Sequence, residues 1–174
     1  PRIMMPKGQQ LLLPVSPVFI VVSVLLGLAL NILPLGRVVW TPDWLMVLLA
    51  FWGIHQPQRI GMSVAFILGL CMDVSQSALM GQHALVYCLL MFAAQMSSRR
   101  MLWFNVWLQA LQMLPLFFGA HAIELFLRLI SGGTLPGLEG LIAPVLEAAL
   151  WPIATLILLA PQRRPPDPDE NRPL

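Results

Sequence analysis

The chain has 174 residues, of which 58% are hydrophobic and only 10% are charged, and its mean hydropathy is +0.79. A soluble domain carries about a quarter charged residues, so the composition excludes an ordinary water-soluble fold and predicts an all-α integral membrane protein with lipid as its main solvent. The formal net charge of +2 comes without a basic patch interleaved with aromatic residues, which argues against nucleic-acid binding.

Six apolar stretches follow one another along the chain, and each is predicted to be a transmembrane helix. They cover residues 15–36, 43–56, 60–75, 83–97, 103–128 and 141–160. Proline, glycine or charged residues separate them. We therefore predict one domain over residues 1–160, a compact bundle of six transmembrane helices with a short polar N-terminal tail. Residues 161–174 are rich in proline and are predicted to be a disordered tail.

The predicted helices are unequal in length. A helix needs about 20 residues to cross the hydrocarbon core, whereas the second and fourth stretches have only about 14. Such short helices must recruit flanking residues, lie in a thinned bilayer or be shielded by protein. The fifth stretch is longer, and Pro115 within it is expected to produce a kink.

Basic residues are distributed unevenly between the two sides of such a bundle. One side carries only Arg37 and Arg128. The other side carries eight basic residues: Arg2, Lys7, Arg59, Arg99, Arg100, Arg163, Arg164 and Arg172. By the positive-inside rule, this asymmetry predicts that the N- and C-termini both lie in the cytoplasm.

Small residues recur at every fourth position before an acid in the third stretch. Gly61, Ala65 and Gly69 are predicted to line one side of a helix, as a smooth groove that ends at the Asp73 carboxylate. Small residues allow close approach of helices in lipid. The pattern leaves open whether a helix of the same chain or a partner helix packs in this groove.

An acid inside a membrane segment is costly, so Asp73 is a candidate functional residue. The charge asymmetry places it at the outer end of its helix, next to the loop 75–82. Gly81 and His83 are predicted to be its partners there, together with backbone N–H groups of the loop. We interpret Asp73 as a residue that holds this loop or meets a partner, rather than as a catalyst.

Further polar residues interrupt the last two stretches. His121, Glu124 and Arg128 share one helix face, with the acid four residues before the arginine. This spacing predicts either a Glu124–Arg128 ion pair near the outer interface, with the arginine reaching outwards, or a polar contact with a partner helix or an outer domain. Glu147 is predicted to line an internal polar seam together with Asp73.

No motif predicts catalysis, a metal site or a cofactor. The sequence has no HExxH, no P-loop lysine motif and no dinucleotide fingerprint. Cys71 and Cys88 lack the spacing of a zinc site. Asp73 and His83 could in principle form a histidine–carboxylate site, but such a pair more often satisfies a buried hydrogen bond. We predict a non-enzymatic protein.

Seven short motifs follow one another in a specific order. They are Thr41-Pro42-Asp43-Trp44, Phe51-Trp52, His55-Gln56-Pro57-Gln58-Arg59, the segment from Gly61 to Asp73, Leu79-Met80-Gly81-Gln82-His83-Ala84-Leu85, Trp107-Leu108-Gln109-Ala110 and Leu150-Trp151-Pro152. Together they resemble the rod shape-determining protein MreD family over nearly the whole chain. The family often has tyrosine where this chain has Phe51.

The resemblance implies a non-enzymatic inner-membrane subunit of the bacterial cell-elongation machinery, which organises lateral peptidoglycan synthesis. It implies direct binding to MreC, a protein with one membrane span and a large periplasmic part. Through MreC it implies a connection to MreB filaments, the RodA glycosyltransferase and a class B penicillin-binding transpeptidase. It also implies a fold similar to the S-components of energy-coupling-factor transporters. The alternative function is therefore a small-molecule binder or transporter, which an internal cavity with convergent polar groups would favour.

Overall fold

The structure, a computed structural model, describes residues 14–163 except 35, 37 and 39. Over these residues the chain forms six α-helices in the predicted order, which confirms the all-helical class. The helices are α1 Pro17–Ile32, α2 Trp44–His55, α3 Met62–Ser75, α4 Gln82–Met101, α5 Val106–Ile130 and α6 Ile142–Leu159. A 3-10 turn, Leu138–Leu141, leads into α6, and a second one, Ala160–Gln162, follows it.

The helical elements extend beyond the apolar stretches at two places. Helix α4 has 20 residues and is not short, because Gln82 and the arginines Arg99 and Arg100 are good helix formers that extend it beyond its apolar centre. The folded domain also continues beyond residue 160, since the last 3-10 turn includes Gln162, whose side chain is buried. The rest of the predicted tail, 164–174, and the N-terminal tail lie outside the described residues.

Side chains and prolines mark the starts of three helices. The Asp43 carboxylate accepts the N–H of Met46 at 3.0 Å and caps α2, while Asn105 accepts the N–H of Leu108 at 3.0 Å and caps α5. Pro17 occupies the first turn of α1, where a missing N–H costs nothing. These local signals agree with the predicted helix order.

Helix α2 is the central helix of the bundle. It packs against α1, α4 and α6, and almost all of its residues from Leu45 to Ile54 are buried. Trp52 is completely buried, and its indole N–H donates to the Ser23 hydroxyl of α1 at 3.0 Å. The neighbouring helices therefore surround α2. Shielding by protein was one of the three expected ways in which a short apolar helix can be accommodated.

The most extensive helix pair is α3 with α4. Gly69 faces the start of α4, and a Cβ atom at this position would overlap the backbone of His83 and Ala84. Ala65 is fully buried. Gly61 departs from the prediction because it is the residue before α3 and no atom lies within 4 Å of the place of its Cβ. At Gly69, the groove is therefore filled by a helix of the same chain.

The outer surface of the bundle is strongly apolar. Exposed large apolar side chains include Val18, Val21, Leu25 and Leu26 of α1, Leu111 and Phe126 of α5, and Ile153 and Ile157 of α6. Two segments, Val106–Ile130 and Leu138–Gln162, are long and apolar enough to cross a membrane by length and composition. Helices α1, α2 and α3 are apolar but shorter. The prediction of six spans is thus supported in part.

Candidate functional site: a polar network at one end of the bundle

Polar side chains from five helices, and from the residue that caps α2, meet at one end of the bundle. This is the end at which α1 and α3 finish, α2 and α4 begin, and the second half of α5 faces the first half of α6. We call the set the polar network, and its members are Asn31, Asp43, Asp73, His83, Tyr87, His121, Glu124 and Glu147. The antiparallel course of successive helices brings these sequence-distant residues together.

Asp73 holds the loop between α3 and α4. Its carboxylate accepts the backbone N–H of Gly81 at 2.8 Å and that of His83 at 2.7 Å, and His83 Nδ1 lies 2.8 Å from Oδ1. Asp73 is only 1% exposed. Gly81 has φ +96°, a left-handed conformation that glycine adopts without strain, and this directs its N–H to the carboxylate. The loop contact expected for Asp73 is therefore present.

Two histidines extend the network from Asp73 towards α6. His83 Nε2 lies 3.6 Å from Glu124 Oε1, and His121 Nδ1 lies 3.8 Å from Glu124 Oε2. His121 Nε2 in turn lies 2.8 Å from Glu147 Oε1. Asp73 and Glu147 thus belong to one polar seam, in which the side chains of His83, Glu124 and His121 connect them.

The predicted ion pair between Glu124 and Arg128 was wrong. Among the residues that the structure describes, the ion pairs of Glu124 are formed with His83 and His121. Arg128 is exposed and packs against the backbone of Gly133, whose N–H donates to the Arg128 carbonyl at 2.9 Å. The helix spacing allowed the pair, but the carboxylate instead contacts His121 on the same helix and His83, which tertiary packing brings from α4.

Glu147 is completely buried in the centre of this end of the bundle. Its Oε1 accepts the backbone N–H of Asp43 at 2.9 Å and also contacts His121. Its Oε2 has no hydrogen-bond partner among the described residues. One carboxylate oxygen therefore joins α6 to α5 and to the start of α2.

Asp43 links three further parts of the bundle. Besides the cap of α2, its Oδ1 accepts the Asn31 side-chain N–H at 2.6 Å, and its Oδ2 accepts the Tyr87 hydroxyl at 2.7 Å. Asn31 also accepts the Trp44 N–H at 3.0 Å through its Oδ1. This single acid therefore connects α1, α2 and α4.

Sequence reasoning missed Asp43, Asn31 and Tyr87 as site residues. A signal existed for Asp43, because an acid directly before an apolar helix is typical of an N-cap. No comparable signal existed for the other two, since their partner is 12 residues away for Asn31 and 44 residues away for Tyr87. Contacts at such separations depend on how the helices pack.

Replacing Tyr87 with phenylalanine is expected to destabilise the protein by about 2 kcal/mol, because it removes a buried hydrogen bond to a carboxylate and leaves the ring in place. The measurement is unfolding of the detergent-purified protein followed by circular dichroism. A double-mutant cycle with Asp43→Asn is the control. Fully additive effects of the two substitutions would show that the hydroxyl and the carboxylate do not interact.

A cavity of about 690 Å³ adjoins the polar network. Its charged or titratable lining residues are Asp43, His83, His121, Glu124 and Arg128, and Thr41 and Gln76 add further polar groups. Its apolar lining includes Val38, Phe118, Leu125, Leu138, Leu141 and Pro144. This volume lies in the range of ligand sites, and the mixture of apolar walls with a few polar groups is typical of binding. No group of three or more potential metal ligands occurs among the described residues.

The fold and the site together suggest a helical membrane protein whose polar groups are collected at one end of an otherwise apolar bundle. The chain belongs to the rod shape-determining protein MreD family, because a model of this family matches residues 9–162. The resemblance seen in the sequence motifs is thereby confirmed.

A curated relative supports the same assignment. The chain is 23% identical over 131 residues to a Haemophilus influenzae protein described as rod shape-determining protein MreD. The match covers 75% of this chain and 81% of the relative. No solved structure matches the chain significantly, so the expected similarity to S-components stays a prediction.

Proposed function

We propose that this protein is a non-enzymatic, multi-pass subunit of the bacterial cell-elongation complex in the inner membrane. In this proposal it binds MreC directly and helps to organise lateral peptidoglycan synthesis. The observation that carries the proposal is the match of a family described as rod shape-determining to residues 9–162. That match spans nearly all of the described domain, so it concerns the whole bundle.

The bundle has properties that suit a multi-pass membrane protein. Its outer faces expose aliphatic and aromatic side chains, and such extended apolar surface needs lipid or protein to cover it. Its polar groups are collected internally at one end, where hydrogen bonds offset the cost of burial. The distribution of basic residues supports cytoplasmic termini. In this orientation the polar network and its cavity face the periplasm.

This orientation suits an adaptor role. MreC has a large periplasmic part in the proposed complex, and the polar end of the bundle would lie beside it. The network connects all six helices through short hydrogen bonds, so it presents a well-ordered surface to a partner. Through MreC the protein would connect MreB filaments to RodA and its class B penicillin-binding transpeptidase.

The adaptor proposal predicts that the tagged chain, purified from its host membrane in mild detergent, recovers MreC. Cells that lack the protein are expected to lose their rod shape and to regain it when the wild-type chain is expressed. The control is an unrelated multi-pass membrane protein with the same tag. If the wild-type chain recovers no protein with a single span and a periplasmic domain, the proposal is wrong.

One observation favours a second candidate, a small-molecule-binding protein similar to S-components. The cavity has the size of a ligand site, and polar groups converge on one side of it. Native mass spectrometry of the protein released from detergent would test this alternative. A stoichiometric small molecule of constant mass would support it, whereas protein of the bare chain mass would argue for the adaptor.

A further inference from the structure

The four carboxylates of the polar network fall into two groups. Asp43 and Asp73 each receive three short contacts from N–H or O–H donors. Glu147 is fully buried and receives two such contacts on one oxygen. These three acids brace helices against one another, and each is at most 6% exposed, so even Asp43, which lines the cavity, offers another molecule little surface.

Glu124 differs from the other three acids. Its nearest cationic groups are the histidine nitrogens at 3.6 and 3.8 Å, which is longer than a hydrogen bond. Its carboxylate accepts no hydrogen bond from any residue in the described part of the chain. Its side chain is 26% exposed and lines the cavity. This carboxylate is therefore accessible and has capacity for a donor.

The charged groups around the cavity favour the binding of a cation. Asp43 and Glu124 line the cavity, and Asp73 and Glu147 lie directly behind the two lining histidines. Arg128 is the one lining residue with a permanent positive charge among those that the structure describes. With the contacting His121 and Glu147 counted as a neutral pair, the three carboxylates of Asp43, Asp73 and Glu124 face at most two positive charges, on Arg128 and His83. A cation therefore gains electrostatic free energy on entering.

The apolar walls of the cavity suit the stem of a long basic side chain. Phe118 and Leu125 of α5 and Leu138 and Leu141 of the 3-10 turn provide apolar surface beside the carboxylate. Lysine and arginine have a methylene stem that packs on apolar groups and a charged head that remains in a polar environment. The cavity is open to the outside, so a neighbouring protein has access to it.

We propose that this cavity docks a lysine or arginine side chain of the partner protein. The cationic head bonds the Glu124 carboxylate, and the stem packs against Phe118, Leu125 and Leu138. This inference rests on the proposed function, because the partner is the protein with a periplasmic domain that the adaptor proposal invokes. It adds to that function the contact surface and the chemistry of recognition.

The test compares two glutamate substitutions in the full-length chain. Glu124→Gln keeps the size of the side chain but removes its charge. Glu139→Gln is the matched control, since Glu139 lies in the same 3-10 turn as Leu138 and Leu141 but is exposed and does not line the cavity. Binding of detergent-purified chain to purified MreC is measured at low ionic strength. Glu124→Gln is expected to weaken binding about tenfold, and Glu139→Gln to leave it unchanged.

Two further variants check folding and the sign of the charge. Glu124→Asp retains the charge and is expected to keep most of the affinity, which separates recognition from a packing defect. Arg128→Gln removes the neighbouring positive charge and is expected to strengthen binding. A loss of binding in Arg128→Gln as large as that in Glu124→Gln would assign an anionic group to the cavity and overturn the proposal.

The outcomes separate this inference from the proposed function. If wild-type chain binds MreC and Glu124→Gln binds it equally well, the docking proposal is overturned while the adaptor function stands. If wild-type chain does not bind MreC, the adaptor function itself fails.

A thermal-shift assay with n-butylamine, and n-butanol as control, tests a free amine as occupant. Stabilisation by the amine alone, combined with unchanged MreC binding of Glu124→Gln, would assign the cavity to a small molecule instead of a partner side chain.

Discussion

Replacing Gly69 with alanine is expected to destabilise the bundle by about 3 kcal/mol, the upper part of the range for overpacking a core. The added Cβ atom would overlap the backbone of His83 and Ala84 at the start of α4. Backbone atoms cannot move aside as the end of a flexible side chain can, so α3 and α4 must separate. The measurement is unfolding of the detergent-purified protein followed by circular dichroism.

Gly119→Ala is the matched control, because Gly119 also lies inside a helix but has no atom within 4 Å of the place of its Cβ. Alanine has the higher helix propensity, so this variant is expected to be unchanged or more stable by up to about 1 kcal/mol. Equal stability of the two alanine variants would contradict the close approach of α3 and α4. A Gly69→Leu protein that accumulates normally but loses MreC would indicate that a partner helix, not α4, packs there.

Replacing Asp73 with alanine is expected to cost about 3–5 kcal/mol, the usual penalty when one partner of a buried polar cluster is removed. The N–H groups of Gly81 and His83 and the ring nitrogen Nδ1 of His83 would lose their acceptor in a site from which water is excluded. Hydrogen exchange should show the greatest loss of protection in the loop 76–81 and at the start of α4.

Two further variants serve as an intermediate case and as a control for Asp73→Ala. Asp73→Asn keeps one carbonyl oxygen and should fall between wild type and alanine, because its amide nitrogen then faces a donor. Glu139→Ala removes an exposed acid and is expected to change stability little. If Asp73→Ala unfolds at the same denaturant concentration as Glu139→Ala, the carboxylate does not hold the loop.

The contacts of Asp73 were predictable from the sequence and the contact of Glu124 with His83 was not, and the distance between partners along the chain explains both results. The contacts of Asp73 with Gly81 and His83 span only 8 and 10 residues, so a short loop made them predictable. The contact of Glu124 with His83 depended instead on which helices surround α5. His83 from α4 approaches the carboxylate there, and a pattern within one helix cannot show it.

The small-residue pattern from Gly61 to Asp73 likewise predicted a feature within one helix but not the contact between helices. Its spacing correctly identified Gly69 as a position of close approach, but it could not show which helix approaches. It also included Gly61, which lies before the helix, because a spacing rule does not locate the first helical residue.

The sequence by itself determined the helical class, the order of the helices, the family and the local role of Asp73. Each of these depends on composition, on periodicity or on contacts between near neighbours in the chain. Only the tertiary structure decided that Asp43, Tyr87, His121 and Glu147 meet in one network and that α4 fills the groove at Gly69. Helix packing determines these contacts, because polar groups buried at one end of an apolar bundle must find their hydrogen-bond partners on other helices.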